Sequence, residues 1–149
     1  MYLSTSVLLH IGCDVKRTAN ECHSYTLGGI QLSDVCETTD LGIIIDSKLR
    51  FDKHITSMVI KAHIRAELIK RCLKARDQTL LLKAFVVFVR LLLEYCSFVW
   101  NPRYHCDVDK IVSVQRRFTK NIGTLSKLTY PERLDVLHAE SLELRSRSI

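Results

Sequence analysis

The side chains in this sequence best placed to do chemistry are cations. Lys61, Arg65 and Lys70 follow one another at intervals of four and five, and Arg116, Arg117 and Lys120 crowd into one short stretch. On helices, both groups would set positive charge at the spacing of phosphates along a nucleic-acid backbone. The chemistry they suit is sequence-independent electrostatic contact with a polyanion. The same residues equally suit a solvated helix face that binds nothing.

Other chemistries lack their parts. There is no Gly-rich phosphate loop, no G-x-S-x-G elbow, no H-E-x-x-H and no kinase signature. Gly28-Gly29 reads as a turn. His54 and His63 stand nine residues apart and do not share a helix face cleanly, and no histidine can be matched to one of the six cysteines. Cys22-His23 and His105-Cys106 are adjacent pairs, whereas structural zinc uses Cys-x₂₋₄-Cys or His-x₃₋₅-His spacing. No metal, no cofactor and no self-contained enzyme is expected.

Charge is unevenly spread over the 149 residues. Lys16, Arg17, Lys48 and Arg50 face six acids in residues 1–50, a net −2, and the rest carries 18 bases against ten acids, a net +8. The basic partner surface therefore belongs to the later two thirds. With 47% hydrophobic residues, five Gly and two Pro, the chain is neither disordered nor a linker. The N-terminus has no basic region and no cleavage site, so the reading is an intracellular protein of nucleus or cytoplasm, not secreted, with reduced cysteines. Cys72 and Cys96 lie in apolar helical patterns, where a thiol acts as a small hydrophobe. Leu80 to Trp100 is the longest apolar stretch, but Lys83, Arg90 and Glu94 interrupt it, so a core helix is expected rather than a membrane span.

The elements needed to position these groups predict an α+β fold. Residues 1–50 read as a small antiparallel β-sheet: Val7–Ile11, a Tyr25–Leu27 and Ile30–Leu32 hairpin about Gly28-Gly29, and a Leu41–Asp46 strand. Residues 51–149 read as a mainly α-helical bundle. Ile55, Val59, Ala62, Ala66, Ile69 and Leu73 recur at four and three, which makes a seam on a helix from Asp52 to Ala75. Asp77 would cap a second helix running through Tyr95 to Asn101-Pro102. Asp107 would cap a third through Phe118, and Thr129 a fourth to Leu137 with Pro131 and Glu132 in its first turn. Ser141 to Ile149 reads as a fifth helix that stops without a cap, as though the chain were truncated.

Four collinear stretches resemble one family. Asp40-Leu41-Gly42-Ile43-Ile44-Ile45-Asp46-Ser47-Lys48-Leu49-Arg50-Phe51-Asp52-Lys53-His54-Ile55 resembles the D-L-G-V-x-x-D-x-x-L-x-F-x-x-H-I segment of non-LTR (LINE-type, jockey-like) retrotransposon reverse transcriptases. Leu92 to Trp100, with Glu94, Tyr95 and Trp100, resembles I-L-E-Y-A-S-x-V-W. Ile111 to Lys120, with Gln115, resembles I-E-x-V-Q-R-R-F-T-R. Tyr130 to Leu134, with Arg133, resembles Y-E-E-R-L, and Leu137 to Glu143 resembles L-x-L-x-S-L-E. Two departures stand out. Thr5-Ser6-Val7 occupies the place of a Lys-Cys-Lys run, which marks residues 1–7 as degenerate or as belonging to a different reading of the gene, whereas Leu9-His10-Ile11-Gly12 keeps the L-H-x-G that follows. Leu91 follows Arg90 where the family has Pro, which predicts a straighter helix.

The resemblance implies the end of a palm with its primer-grip hairpin, then a thumb and the helices beyond it. The carboxylates that hold two magnesium ions in the complete polymerase, and the fingers, would lie upstream. This chain would then be a non-catalytic part of an RNA-directed DNA polymerase whose partners are its own palm and fingers and an RNA/DNA hybrid. A thumb would track the hybrid backbone by phosphate contacts from Lys61, Arg65, Lys70, Arg116, Arg117 and Lys120. Gln115, Tyr95 and Trp100 would pack or hydrogen-bond rather than touch the ligand. Two alternatives stay open: a helical protein-interaction module using the Ile55–Leu73 seam, and a decayed reading frame without independent function.

Overall fold

The computed structural model describes residues 6–12, 25–73, 77–102 and 104–142. The fold is α+β, strands first and helices after, and it forms two compact units, Met1–His54 and Ile55–Ile149. The expected division at residue 50 therefore lies inside the first unit.

The first unit is three strand pairs. β2 (Thr26–Leu27) and β3 (Ile30–Gln31) form the hairpin about Gly28-Gly29, and β5 (Glu37–Asp40) pairs antiparallel with β6 (Ile43–Asp46). β1 (Val7–Leu9) runs parallel to β4 (Ser33–Val35), unlike the all-antiparallel sheet expected from sequence. The β2–β3 hairpin separates these two strands in sequence, so no tight turn imposes an antiparallel sense on them.

The expected Leu41–Asp46 strand begins only at Ile43, because Leu41 and Gly42 are the turn. Asp40 pairs with Ile43, and both intervening residues have positive φ, 48° and 84°. That is the two-residue connection whose twist suits a hairpin, and it is why glycine follows leucine there. Leu41 itself is 80% exposed.

Between β6 and the first helix the backbone winds around Asp46. Its carboxylate accepts from the N–H of Arg50 (2.9 Å), Phe51 (3.3 Å) and Lys48 (3.3 Å). Leu49 and Phe51 take left-handed φ values of 51° and 58° within this loop. Burial works against the Asp46 charge, but those N–H groups outweigh it and hold the pKa below its ordinary 3.8. His54, in the first turn of the helix that follows, is buried, and its Nδ1 accepts from the Ile44 N–H at 3.4 Å, so the same short motif pins β6 to the start of that helix.

The second unit carries the core. α1 (Asp52–Cys72) buries Ile55, Val59, Ala62, Ala66 and Ile69, five of the six seam residues, inside this chain. It stops three residues short of Ala75, and residues 74–76 lie outside the described ones. Asp77 caps α2 (Gln78–Phe85) by accepting the Thr79 N–H at 3.0 Å.

The long second helix is not regular. A π-helical segment, Val86–Arg90, links α2 to α3 (Leu91–Glu94), and the Leu91 N–H reaches back to the Val86 carbonyl. The straighter helix expected from Leu91 in place of Pro is not what forms; the wide turn is there without the proline. Cys96, at φ 51°, breaks the helix before α4 (Ser97–Trp100). The broken end is stitched by the buried Trp100, whose Nε1–H donates to the Tyr95 carbonyl at 2.7 Å.

α5 (His105–Lys120) starts two residues before the Asp107 cap that was expected. Asp107 sits inside the first turn, where the helix dipole favours a carboxylate, and it accepts from Lys110 at 2.7 Å. Phe118 of α5 stacks on Phe85 of α2 with centroids 4.5 Å apart. α6 (Tyr130–Leu137) opens with Thr129 and Pro131 as expected. Glu132 accepts the Thr129 N–H at 2.7 Å to close a capping box. Of the expected fifth helix only its first two residues are described.

Asp46→Ala should cost about 1 kcal/mol, the typical worth of a carboxylate that satisfies loop N–H groups. The wild type should also lose this contribution as pH falls below 3.8 through the lowered Asp46 pKa, while an Asp46→Asn chain should not. Amide exchange across β5 and β6, followed against pH, would read both effects, and identical pH profiles would refute them.

Candidate nucleic-acid interface

Helix geometry splits the first cationic group. At 3.6 residues per turn, the nine-residue step from Lys61 to Lys70 is about half a turn around α1. The two therefore cannot form one flank, contrary to the reading from spacing. Arg65 is turned toward the π-helical segment, where its Nη1 donates to the Phe88 carbonyl at 3.2 Å. Lys61 is exposed on the same side as Arg65, four residues back.

Lys70 joins a different neighbourhood. It pairs with Glu67 at 2.6 Å, and both lie near His63, one and two helical turns back along that face. Arg117 of α5 faces the same spot, since its charge acts on both His63 and Glu67. The interface that results brings Lys70 of α1 to Arg117 of α5, while Arg116 and Lys120 are exposed on the same helix as Arg117. Arg117 and Lys120 are exposed, with no carboxylate in ion-pair range among the described residues.

His63 and Glu67 were not among the expected site residues. Their signal is the spacing His63, Glu67, Lys70, four then three, which is one helix face. Burial is the larger influence on His63 and Arg117 the next, and together they hold its pKa below 6.5 despite Glu67. Glu67 is held below its ordinary 4.5, chiefly by the Lys70 hydrogen bond.

Tyr130, also unexpected, organises the other edge. Arg116 lies over its ring at 5.1 Å and Arg133 at 5.7 Å. Arg133 is buried and donates to the Arg116 carbonyl at 3.4 Å. Tyr130 is oriented in turn by Gln115, whose Oε1 accepts its hydroxyl at 2.9 Å and the Leu142 N–H at 3.1 Å. The Gln115 Nε2 donates to the Glu140 carbonyl at 3.0 Å. Gln115 and Trp100 are packing and hydrogen-bonding residues, and Tyr95 is half exposed. Glu94 holds Arg90 at 2.8 Å on the inner part of α3.

No group of three His, Cys, Asp or Glu among the described residues could hold a metal ion. His105 and Cys106 are both exposed in the first turn of α5, and Cys22-His23 lies outside the described residues. Cys36, Cys72, Cys96 and Cys106 are free thiols, and Cys72 is exposed rather than packed as its pattern predicted. Among the described residues no helix is long and apolar enough to cross a membrane.

No protein-family model matches the chain. No solved structure matches it. It is similar to an uncharacterized protein of Caenorhabditis elegans, 26% identical over 110 residues, covering 72% of this chain and 56% of the relative. The chain thus spans about half the length of the relative it matches.

Two predictions concern this interface. Arg117→Gln should raise the His63 pKa, though not to 6.5, because burial remains; an NMR titration of the imidazole reads it, and no change would remove Arg117 from this face. Since the folded state disfavours protonation of His63, its contribution to stability is complete above pH 6.5 and declines as pH falls through that value toward the lowered folded pKa. Gln115→Ala, which removes the three hydrogen bonds of a buried carboxamide, should cost about 2–4 kcal/mol in urea unfolding, and Tyr130→Phe, which removes one of them, only about 1 kcal/mol. Equal losses would contradict the hydrogen-bond assignment.

Proposed function

We propose that this chain is the thumb-like part of a non-LTR retrotransposon RNA-directed DNA polymerase. In this reading it holds the sugar-phosphate backbone of an RNA/DNA hybrid and performs no nucleotidyl transfer itself. The observation that carries it is the approach of Arg117 from α5 to the His63, Glu67 and Lys70 face of α1, with Arg116 and Lys120 exposed on the same helix as Arg117. Cations drawn from two helices, with Glu67 as the nearby acid, match a curved polyanion better than a single solvated stripe does.

The polymerase assignment rests on the four resembling stretches. Support comes from what their residues do: Gly42 makes the hairpin turn, Asp46 and His54 fix the loop after it, Trp100 ends its helix, and Gln115 and Arg133 set Tyr130. Such motifs would be kept by a fold that must present a backbone-gripping face at a set place. Palm, fingers and the two magnesium ions belong to other parts of the polymerase in this reading. An intracellular site of action follows from that role.

A fluorescein-labelled RNA/DNA hybrid, titrated with the full chain at several salt concentrations, tests the reading. Affinity should fall steeply between about 50 and 200 mM salt and be alike for unrelated sequences. The double variant Arg117→Glu, Lys120→Glu should weaken binding and reduce the salt slope by about 2, roughly one per lost contact. Binding that ignores salt, or that survives the charge reversal, would overturn it.

A further inference from the structure

A second face of the helical unit is apolar and uncovered. On α1, Ile60, Ile64 and Leu68 are 55%, 57% and 51% exposed at four-residue intervals. The row ends at an open groove of about 590 Å³, where Leu68, Ile69 and Leu73 face Leu80, Val87 and Phe88 of α2 and the π-helical segment. The wide turn matters here, because it places Val87 and Phe88 side by side at the surface, 53% and 57% exposed. Leu91, 60% exposed, continues the apolar row beyond the groove. A patch this long exceeds what scattered surface residues explain.

We infer that this groove binds an amphipathic helix of another protein, one whose apolar stripe is flanked by acidic residues. Three features select that occupant. The walls are two neighbouring helices whose side-chain ridges accept a third helix. Their lining offers almost no hydrogen-bond partner, and the Phe88 carbonyl is already taken by Arg65. A strand would leave its backbone unsatisfied there, whereas a helix satisfies its own.

Charge completes the selection. The charged residues lining the groove are Arg65 and Lys83, one on each wall, and neither has a carboxylate in ion-pair range among the described residues. A second copy of this chain would bring like charges together across the contact, whereas carboxylates flanking an apolar stripe would meet both cations. A nucleic acid would set its phosphates against leucine, valine and phenylalanine. The site is thus separate from the Lys70–Arg117 face and does not depend on the nucleic-acid reading.

The test uses the full chain and two labelled helical peptides. Both carry leucine at positions a and d; one has glutamate flanking the stripe and the other lysine. Fluorescence anisotropy should show the glutamate peptide binding and the lysine peptide not. Leu68→Ser with Val87→Ser, both positions half exposed and so tolerant of change, should weaken binding by about tenfold or more. Lys83→Glu should weaken the glutamate peptide and admit the lysine one. Hybrid binding by the serine variant should match wild type, which separates this site from the basic face. Equal binding of the two peptides would overturn the inference. So would sedimentation showing a dimer that the serine substitutions dissolve, or anionic vesicles captured through these residues in place of the peptide.

Discussion

The carboxamide of Gln115 is the constraint on which the C-terminal half of the helical unit depends. It is 2% exposed, so each of its polar atoms must find a partner inside the protein or cost about 1–3 kcal/mol. It finds three, and they come from separate places: the Tyr130 hydroxyl at the start of α6, and the Glu140 carbonyl and Leu142 N–H beyond its end. One side chain thereby fixes where α6 begins and where the chain goes after it. The positions of Arg116 and Arg133 follow, because both lie over the ring that Gln115 orients. Even Arg90 is drawn in, reaching Glu140 at 3.5 Å while it holds Glu94. The exposed cations on α5 stand on this buried, uncharged network rather than on one another.

The first unit is held in a different way. Among its described residues Ile43 is the one fully buried apolar side chain, too little to specify a fold by packing. Polar geometry substitutes for it. Gly42 supplies a turn of the right twist, Asp46 gathers three N–H groups, and His54 takes a fourth. All three of these constraints fall between Gly42 and His54, and an ion pair between Glu37 and Lys53 ties that stretch back to β5. Local bonds of this kind can hold a hairpin and a loop without a large core.

What could be read from sequence was whatever rests on neighbours along the chain. The Asp77 and Thr129 caps, the Gly28-Gly29 turn and the α1 seam each need only residues a few positions away, and each formed where its pattern placed it. The failures share a cause as well. The break at Tyr95-Cys96 is stabilised by an indole five residues on, the π segment has no sequence signature of its own, and β1–β4 pairing depends on a distant strand. At the candidate interface the residue types were legible but their grouping was not. Lys70 was assigned to Lys61 by sequence proximity, and rotation about the helix assigns it to Arg117.

That rotation is also what lets α1 do more than one thing. The helix turns by about 100° per residue, so Lys70 and Leu68, two positions apart, point about 160° away from each other. One stripe of α1, Ile55 through Ile69, is buried and cannot be altered without cost to the fold. The remaining surface is divided between a charged side shared with α5 and an apolar side shared with α2. A helix needed only for stability would gain solubility by placing polar residues at Ile60, Ile64 and Leu68, and one needed only for a polyanion would place cations there. This chain does neither, and its two exposed sides differ in the property that decides partners: one attracts by charge at a distance, the other by contact after water is expelled. Two such surfaces, turned about 160° from each other on one helix, do not compete for the same side chains, so occupation of one leaves the other open.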